Sequence, residues 1–150
     1  MEVINAIFSN IPLITGGLAF LFSQVLKVII YYFKEKKINL MHFFESAGMP
    51  STHSAMSSSM ALMIGMREGF SSAFFAIALV FTIIVMYDAM GVRFAAGQQA
   101  MVLNKIIEDI YYEKVSEKEK MKELIGHTPV EVFAGGVIGI LMAIFIYLII

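Results

Sequence analysis

The sequence predicts an all-α membrane protein, a polytopic helical bundle of about four spans with short interfacial helices. Three observations carry that prediction. Of the 150 residues, 59% are hydrophobic and only 15% charged, and the mean hydropathy is +0.79, both far from the soluble norm. The apolar residues fall into four runs, Ile11–Phe33, Thr52–Met66, Phe70–Tyr87 and Val130–Ile150. The charges collect between the runs, as they do where connections leave a bilayer. The length suits one integral-membrane domain, residues 1–150.

Each run is weighed against the roughly 20 residues that cross a bilayer. Before the first, Met1-Glu2-Val3-Ile4-Asn5 lacks the basic region of a secretory signal, so nothing looks removed in the mature chain. The first run is long enough and nearly free of charge, and Lys34-Glu35-Lys36-Lys37 closes it. The second is short even when extended to Gly69, and Met66-Arg67-Glu68-Gly69 then reads as a tight turn. The third is adequate and ends at Asp88. Asp109–Glu123 is a charged stretch, interfacial or solvated. The fourth opens on Thr128-Pro129-Val130-Glu131, a hydroxyl cap, a proline at the first helical position and an acid closing a capping box. No internal repeat is evident.

Orientation follows from the basic residues. Lys34, Lys36 and Lys37 lie in the first connection, Arg93, Lys105, Lys114, Lys118, Lys120 and Lys122 in the third, and Arg67 alone in the second. The positive-inside rule turns the first and third connections to the cytoplasm and both termini outward. The end of the first span, the start of the second, the end of the third and the start of the fourth then share the cytoplasmic face. Absent cysteines rule out disulfides and thiolate metal sites, and His42, His53 and His127 are too scattered to suggest a metal cluster. A net charge of −1 argues against nucleic acid as partner.

The polar residues with chemical potential all map to that face. In Gly48-Met49-Pro50-Ser51-Thr52-His53-Ser54-Ala55, a proline, two hydroxyls and a histidine stand at the mouth of an apolar helix. Unpaired amides and the positive end of the helix dipole there suit an anion held by Ser51 and Thr52, with His53 moving a proton. A capped helix with a chance histidine explains the same residues. Lys27 and Lys34, seven residues apart, share a helix face with Ser23 and Tyr31; Lys27 reads either as a phosphate ligand or as a lysine snorkelling to the interface. Asp88 at membrane depth marks a functional position, or else pairs with Arg93. A bend near Gly91 would free Arg93 to face a ligand. His127 and Glu131 are one turn apart, so the carboxylate could fix an imidazole tautomer, although it could not easily also close a capping box. Ser54, Ser57, Ser58, Ala61 and Gly65, and the pair Gly135 and Gly139, read as close helix packing. His42 belongs to no motif.

Together these segments resemble the type 2 phosphatidic acid phosphatase superfamily, which includes the vanadium haloperoxidases, and within it a small divergent branch. Lys27-Val-Ile-Ile-Tyr-Tyr-Phe-Lys34 keeps the spacing of the first family motif with lysine for arginine. Pro50-Ser51-Thr52-His53 keeps the second with threonine for glycine, and His127-Thr-Pro-Val-Glu131 the end of the third with glutamate for aspartate. Tyr87-Asp88-Ala89-Met90-Gly91-Val92-Arg93 and Gly126-His127-Thr128-Pro129 match the divergent branch. Three departures stand out: Glu35 replaces the family's proline, Thr52 lacks glycine's freedom, and a charged insertion separates Arg93 from His127 where the family has five residues.

The resemblance implies a phosphatase that works without a metal or other cofactor. His127 would attack phosphorus to give a phosphohistidine, Glu131 would orient it, and His53 would protonate the leaving group. Lys27, Lys34, Ser51, Thr52 and Arg93 would hold the equatorial oxygens, with Asp88 in support. The expected substrate is a lipid phosphate or diphosphate reached from the cytoplasmic leaflet of a bacterial membrane, and the partners are the bilayer and that lipid, with a homo-oligomer left open. Two rivals remain: an inactive relative that binds or translocates an anionic lipid, and a small structural subunit whose histidines only cap helices.

Overall fold

The computed structural model describes residues 1–36, 43, 48–111 and 126–150, with side chains omitted at 108–111. His42 and most of the charged stretch Asp109–Glu123 lie outside the described residues. Within them the chain forms α1 (Glu2–Phe8), α2 (Ile11–Glu35), α3 (Thr52–Glu68), α4 (Ala73–Met90), α5 (Val92–Tyr111) and α6 (Pro129–Ile149).

The helix starts are written in the sequence. Asn10 caps α2 by accepting from the Leu13 amide at 3.1 Å, with Pro12 in the first turn, and Ser51, Ser72 and Thr128 cap α3, α4 and α6 in the same way. The third apolar run therefore becomes a helix only from Ala73, because Gly69 turns the chain at a φ of 93° and Ser72 takes the cap position. α4 stops at Gly91, where an added Cβ would stand 2.9 Å from the Tyr87 carbonyl oxygen, and α5 resumes one residue later.

Hydroxyls on α3 and its neighbours fix the packing. Ser59 Oγ donates to the Thr15 carbonyl on α2 at 3.4 Å, Thr82 Oγ1 on α4 donates to the Ser57 carbonyl at 3.0 Å, and Ser58 Oγ donates to the Gly136 carbonyl on α6 at 3.1 Å. Bonds of this kind between membrane helices contribute on the order of 0.6 kcal/mol each. α2 and α4 run antiparallel to α3, while α6 runs parallel to it: Gly135 rests on the Ser51 carbonyl and Gly139 on the Ala55 carbonyl, with no room for a Cβ at either. That close approach is what the small-residue pair predicted.

α3 is thus the interior helix, touching α2, α4 and α6. Among the described residues, three helical stretches are long and apolar enough to cross a membrane, Ile11–Glu35, Ala73–Ile107 and Pro129–Ile149. α3, with 17 residues, spans about 25 Å at 1.5 Å per residue and is too polar to count with them. Its polarity has a physical reason: α3 is enclosed by protein rather than lipid, so its serines meet carbonyls and not hydrocarbon. Phe74, Ile77, Phe81, Phe145 and Leu148 stay exposed on α4 and α6, the surface a bilayer would cover. The protein is a helical membrane bundle.

Candidate functional site

The antiparallel and parallel packing brings the C-terminal ends of α2 and α4 and the N-terminal ends of α3 and α6 to one end of the bundle. Two backbone bonds tie this end together. The Ser51 amide donates to the Glu131 carbonyl at 3.1 Å, and the His127 amide donates to the Ala89 carbonyl at 3.1 Å. The second satisfies one of the carbonyls that the end of α4 leaves open, and it fixes where the His127 side chain starts.

Gly126 settles the spacing departure. It packs against the backbone of Arg93 and Phe94 so closely that a Cβ would overlap the Phe94 amide. The chain leaves the site after Arg93 and returns at Gly126, so the insertion is a detour and Arg93 and His127 are spatial neighbours.

His127 is 5% exposed, and among the described residues its Nε2 has no hydrogen-bond partner. Burial pushes its imidazole below the ordinary histidine pKa; Glu131 opposes, while Lys27, His53 and Arg93 push the same way as burial. All four groups lie within electrostatic reach of His127, and at neutral pH its imidazole is held uncharged, the form with a free lone pair. Lys27 is 0% exposed, a buried cation on α2 one turn beyond Ser23. His53, by contrast, is exposed at the first turn of α3, open to an entering ligand.

The start of α3 gathers donors of the kind an anion takes. Ser51 Oγ accepts from the Ser54 amide at 3.4 Å and from Ser54 Oγ at 2.9 Å, which leaves its own proton to donate outward. Ser51 and Thr52 are buried, and helix geometry leaves the first-turn amides of Thr52 and His53 without carbonyl partners of their own. The first turn of α3 carries no acid.

Glu131 serves the capping box. Its Oε2 accepts from the Thr128 amide at 2.9 Å, and its amide donates to Thr128 Oγ1 at 3.4 Å. The carboxylate thus grips the backbone next to His127. Of the two sequence readings at the Gly91 bend, the structure shows the pair: Arg93 Nε donates to Asp88 Oδ2 at 2.6 Å, with side chains 63% and 36% exposed. The guanidinium keeps its terminal amino groups as donors. Lys34 stands apart, exposed, with Nζ 5.8 Å from the centroid of the Tyr31 ring.

Two polar residues of this end escaped the sequence reading as site members. Ser23 Oγ and Gln24 Oε1 are buried one turn inward of Lys27 without a partner among the described residues. The signal was present, as a serine and a glutamine side by side in an otherwise apolar span.

Comparison with known proteins gives the family. The sequence matches the divergent PAP2 family over residues 8–142. An uncharacterized membrane protein of Bacillus subtilis (strain 168), YuiD, is 38% identical over 149 residues, covering 92% of this chain and 94% of its own. No solved structure matches. With the match running from before α2 into α6, the chain belongs to the divergent PAP2 family.

Proposed function

We propose that the chain is a membrane phosphatase acting on a lipid phosphate or diphosphate through a phosphohistidine on His127. The observation that carries this reading is the state of His127: buried, uncharged, with Nε2 unpartnered among the described residues, and within electrostatic reach of Lys27, His53 and Arg93. In the first step Nε2 attacks phosphorus, the bond from phosphorus to the lipid oxygen breaks, and His53 gives that oxygen its proton. In the second, His53 takes a proton from water as the water oxygen attacks phosphorus; the P–N bond breaks and inorganic phosphate leaves. Lys27, Arg93, the Ser51 hydroxyl and the first amides of α3 neutralise the equatorial oxygens. Lys34, on the rim, supplies attraction at longer range. Glu131 is a positioning residue, acting on His127 through the Thr128 backbone. The basic connections favour a site on the cytoplasmic side.

Phosphate release from a panel of lipid phosphates by the purified protein tests the reading, with His127→Asn as control. Turnover is expected in the wild type and should fall by roughly 10³-fold or more in the variant, with thermal stability kept. An acid-labile phosphate trapped on wild type and missing from His127→Asn would establish the covalent step. The Asp88–Arg93 pair favours a second reading, a relative that binds anionic lipid without turnover; lipid binding with no phosphate release in any form would establish that one instead.

A further inference from the structure

α4 and α6 both pack on α3 but touch each other little, and between them lies a cavity of about 360 Å³. Its floor and walls include Ser58, Thr82, Ile83, Met86, Phe133 and Gly136. Both hydroxyls are engaged by carbonyls: Ser58 Oγ lies 2.7 Å from the Ser54 carbonyl and 3.1 Å from that of Gly136, and Thr82 Oγ1 lies 2.8 Å from the Ala78 carbonyl and 3.0 Å from that of Ser57. What faces the opening is hydrocarbon. The groove is continuous with the lipid-facing surface, since Ile83 and Phe133 are exposed. Its near end adjoins the site, with Met86 two residues before Asp88 and Phe133 two residues after Glu131, about 3 Å of helix in each case. Along α4 it reaches from Met86 back to Phe75, about 16 Å.

Gly136 holds this groove open. Unlike Gly135 and Gly139, which meet the backbone of α3, Gly136 faces Met86, whose Cε would lie 3.3 Å from an added Cβ. Adjacent glycines on α6 thus do different work: one lets helices touch, the other leaves a gap.

We propose that this groove seats one hydrocarbon chain of a phosphorylated lipid whose head lies at His127. The inference rests on the proposed function for the identity of the head, while the seat itself stands on the groove's geometry. A tail already in the bilayer gains little by apolar transfer into the groove, because lipid is as apolar as leucine. The groove's role is orientation, aligning the lipid so that its phosphate meets Nε2.

The test is photolabelling of the whole protein in zwitterionic lipid vesicles with an alkyl phosphate carrying a diazirine in its chain. Label should concentrate on Ile83, Met86, Phe133 and Val137, be lost on adding the plain alkyl phosphate, and persist with the matching alkyl alcohol. Ile83→Trp and Gly136→Val, which fill the groove from opposite walls, should lose the label with thermal stability kept, whereas Leu21→Trp on the lipid side of α2 should retain it. Label spread evenly over the lipid-facing helices, or indifferent to the phosphate competitor, would overturn the seat. Absent turnover alongside groove labelling would refute the phosphatase reading alone.

Discussion

Two helices begin side by side at the polar end of the bundle, and they begin differently. α3 and α6 both start from a hydroxyl cap, and the Ser51 amide binds the Glu131 carbonyl. α6 then closes its own positive end, with Pro129 removing a donor and Glu131 folding its carboxylate over the Thr128 amide. α3 does not: its first turn has no acid and its next residues are Thr52 and His53. The lesson is that similar N-terminal motifs can be a finished structural joint or an open anion seat, and the third residue after the cap decides which.

The largest expected effect on this contrast comes from Lys27, the buried cation that serves the open end. Lys27→Met keeps the apolar stem and deletes the charge, so anion binding and turnover should fall by roughly 10²-fold, as for loss of one preorganised donor. A second signature distinguishes a direct role from packing. Lys27 holds the His127 pKa down; without it that pKa rises, the uncharged imidazole is lost at a higher pH, and the acid limb of the pH–rate profile should move up. An unmoved limb with unchanged kinetics would make Lys27 a snorkelling residue after all.

A smaller effect is expected at the closed end. Glu131→Gln keeps the capping box, so thermal stability should hold, but it removes the negative charge that opposes His127's low pKa. Turnover should fall by about tenfold because glutamine no longer supplies the negative charge beside His127, a modest loss beside that of a full acid–base partner. The acid limb should shift to lower pH, opposite in sign to Lys27→Met. Full activity with an unmoved limb would leave Glu131 a cap and nothing more.

The smallest effects sharpen the comparison most finely. Ser51→Ala and Thr128→Ala each remove one cap, costing about 1 kcal/mol of stability, to be read from thermal or denaturant unfolding. Only Ser51→Ala should also weaken protection of the protein by inorganic phosphate. Equal phosphate protection in the two variants would erase the distinction between the helix starts.

Much of the fold was legible because its signals are local. Asn10, Ser51 and Thr128 announce helix starts, apolar runs announce spans, and Gly135 with Gly139 announces a close crossing. Four ends meeting at one face followed from alternating spans. What the sequence could not carry is tertiary. Hydropathy alone could not say that α3 is interior, because serines facing carbonyls read the same as serines facing water. The bend at Gly91 and an Asp88–Arg93 pair were both legible, but not whether the bend would close that pair or free Arg93, since the direction of a bend depends on what packs against it. Glu131 had two readings from one spacing, and only the position of the Thr128 amide chose between them. Ser23 and Gln24 were visible in the sequence, but that they are buried without a partner among the described residues took the structure to show.

The seat of Gly126 on the Arg93–Phe94 backbone has a consequence for how this chain can vary over generations. Because Gly126 meets Arg93 and Phe94 through their backbone, the meeting depends on no side chain except the one that is missing: an added Cβ at Gly126 would overlap the Phe94 amide. Positions 93 and 94 can therefore change their side chains without disturbing the contact, whereas position 126 can accept none.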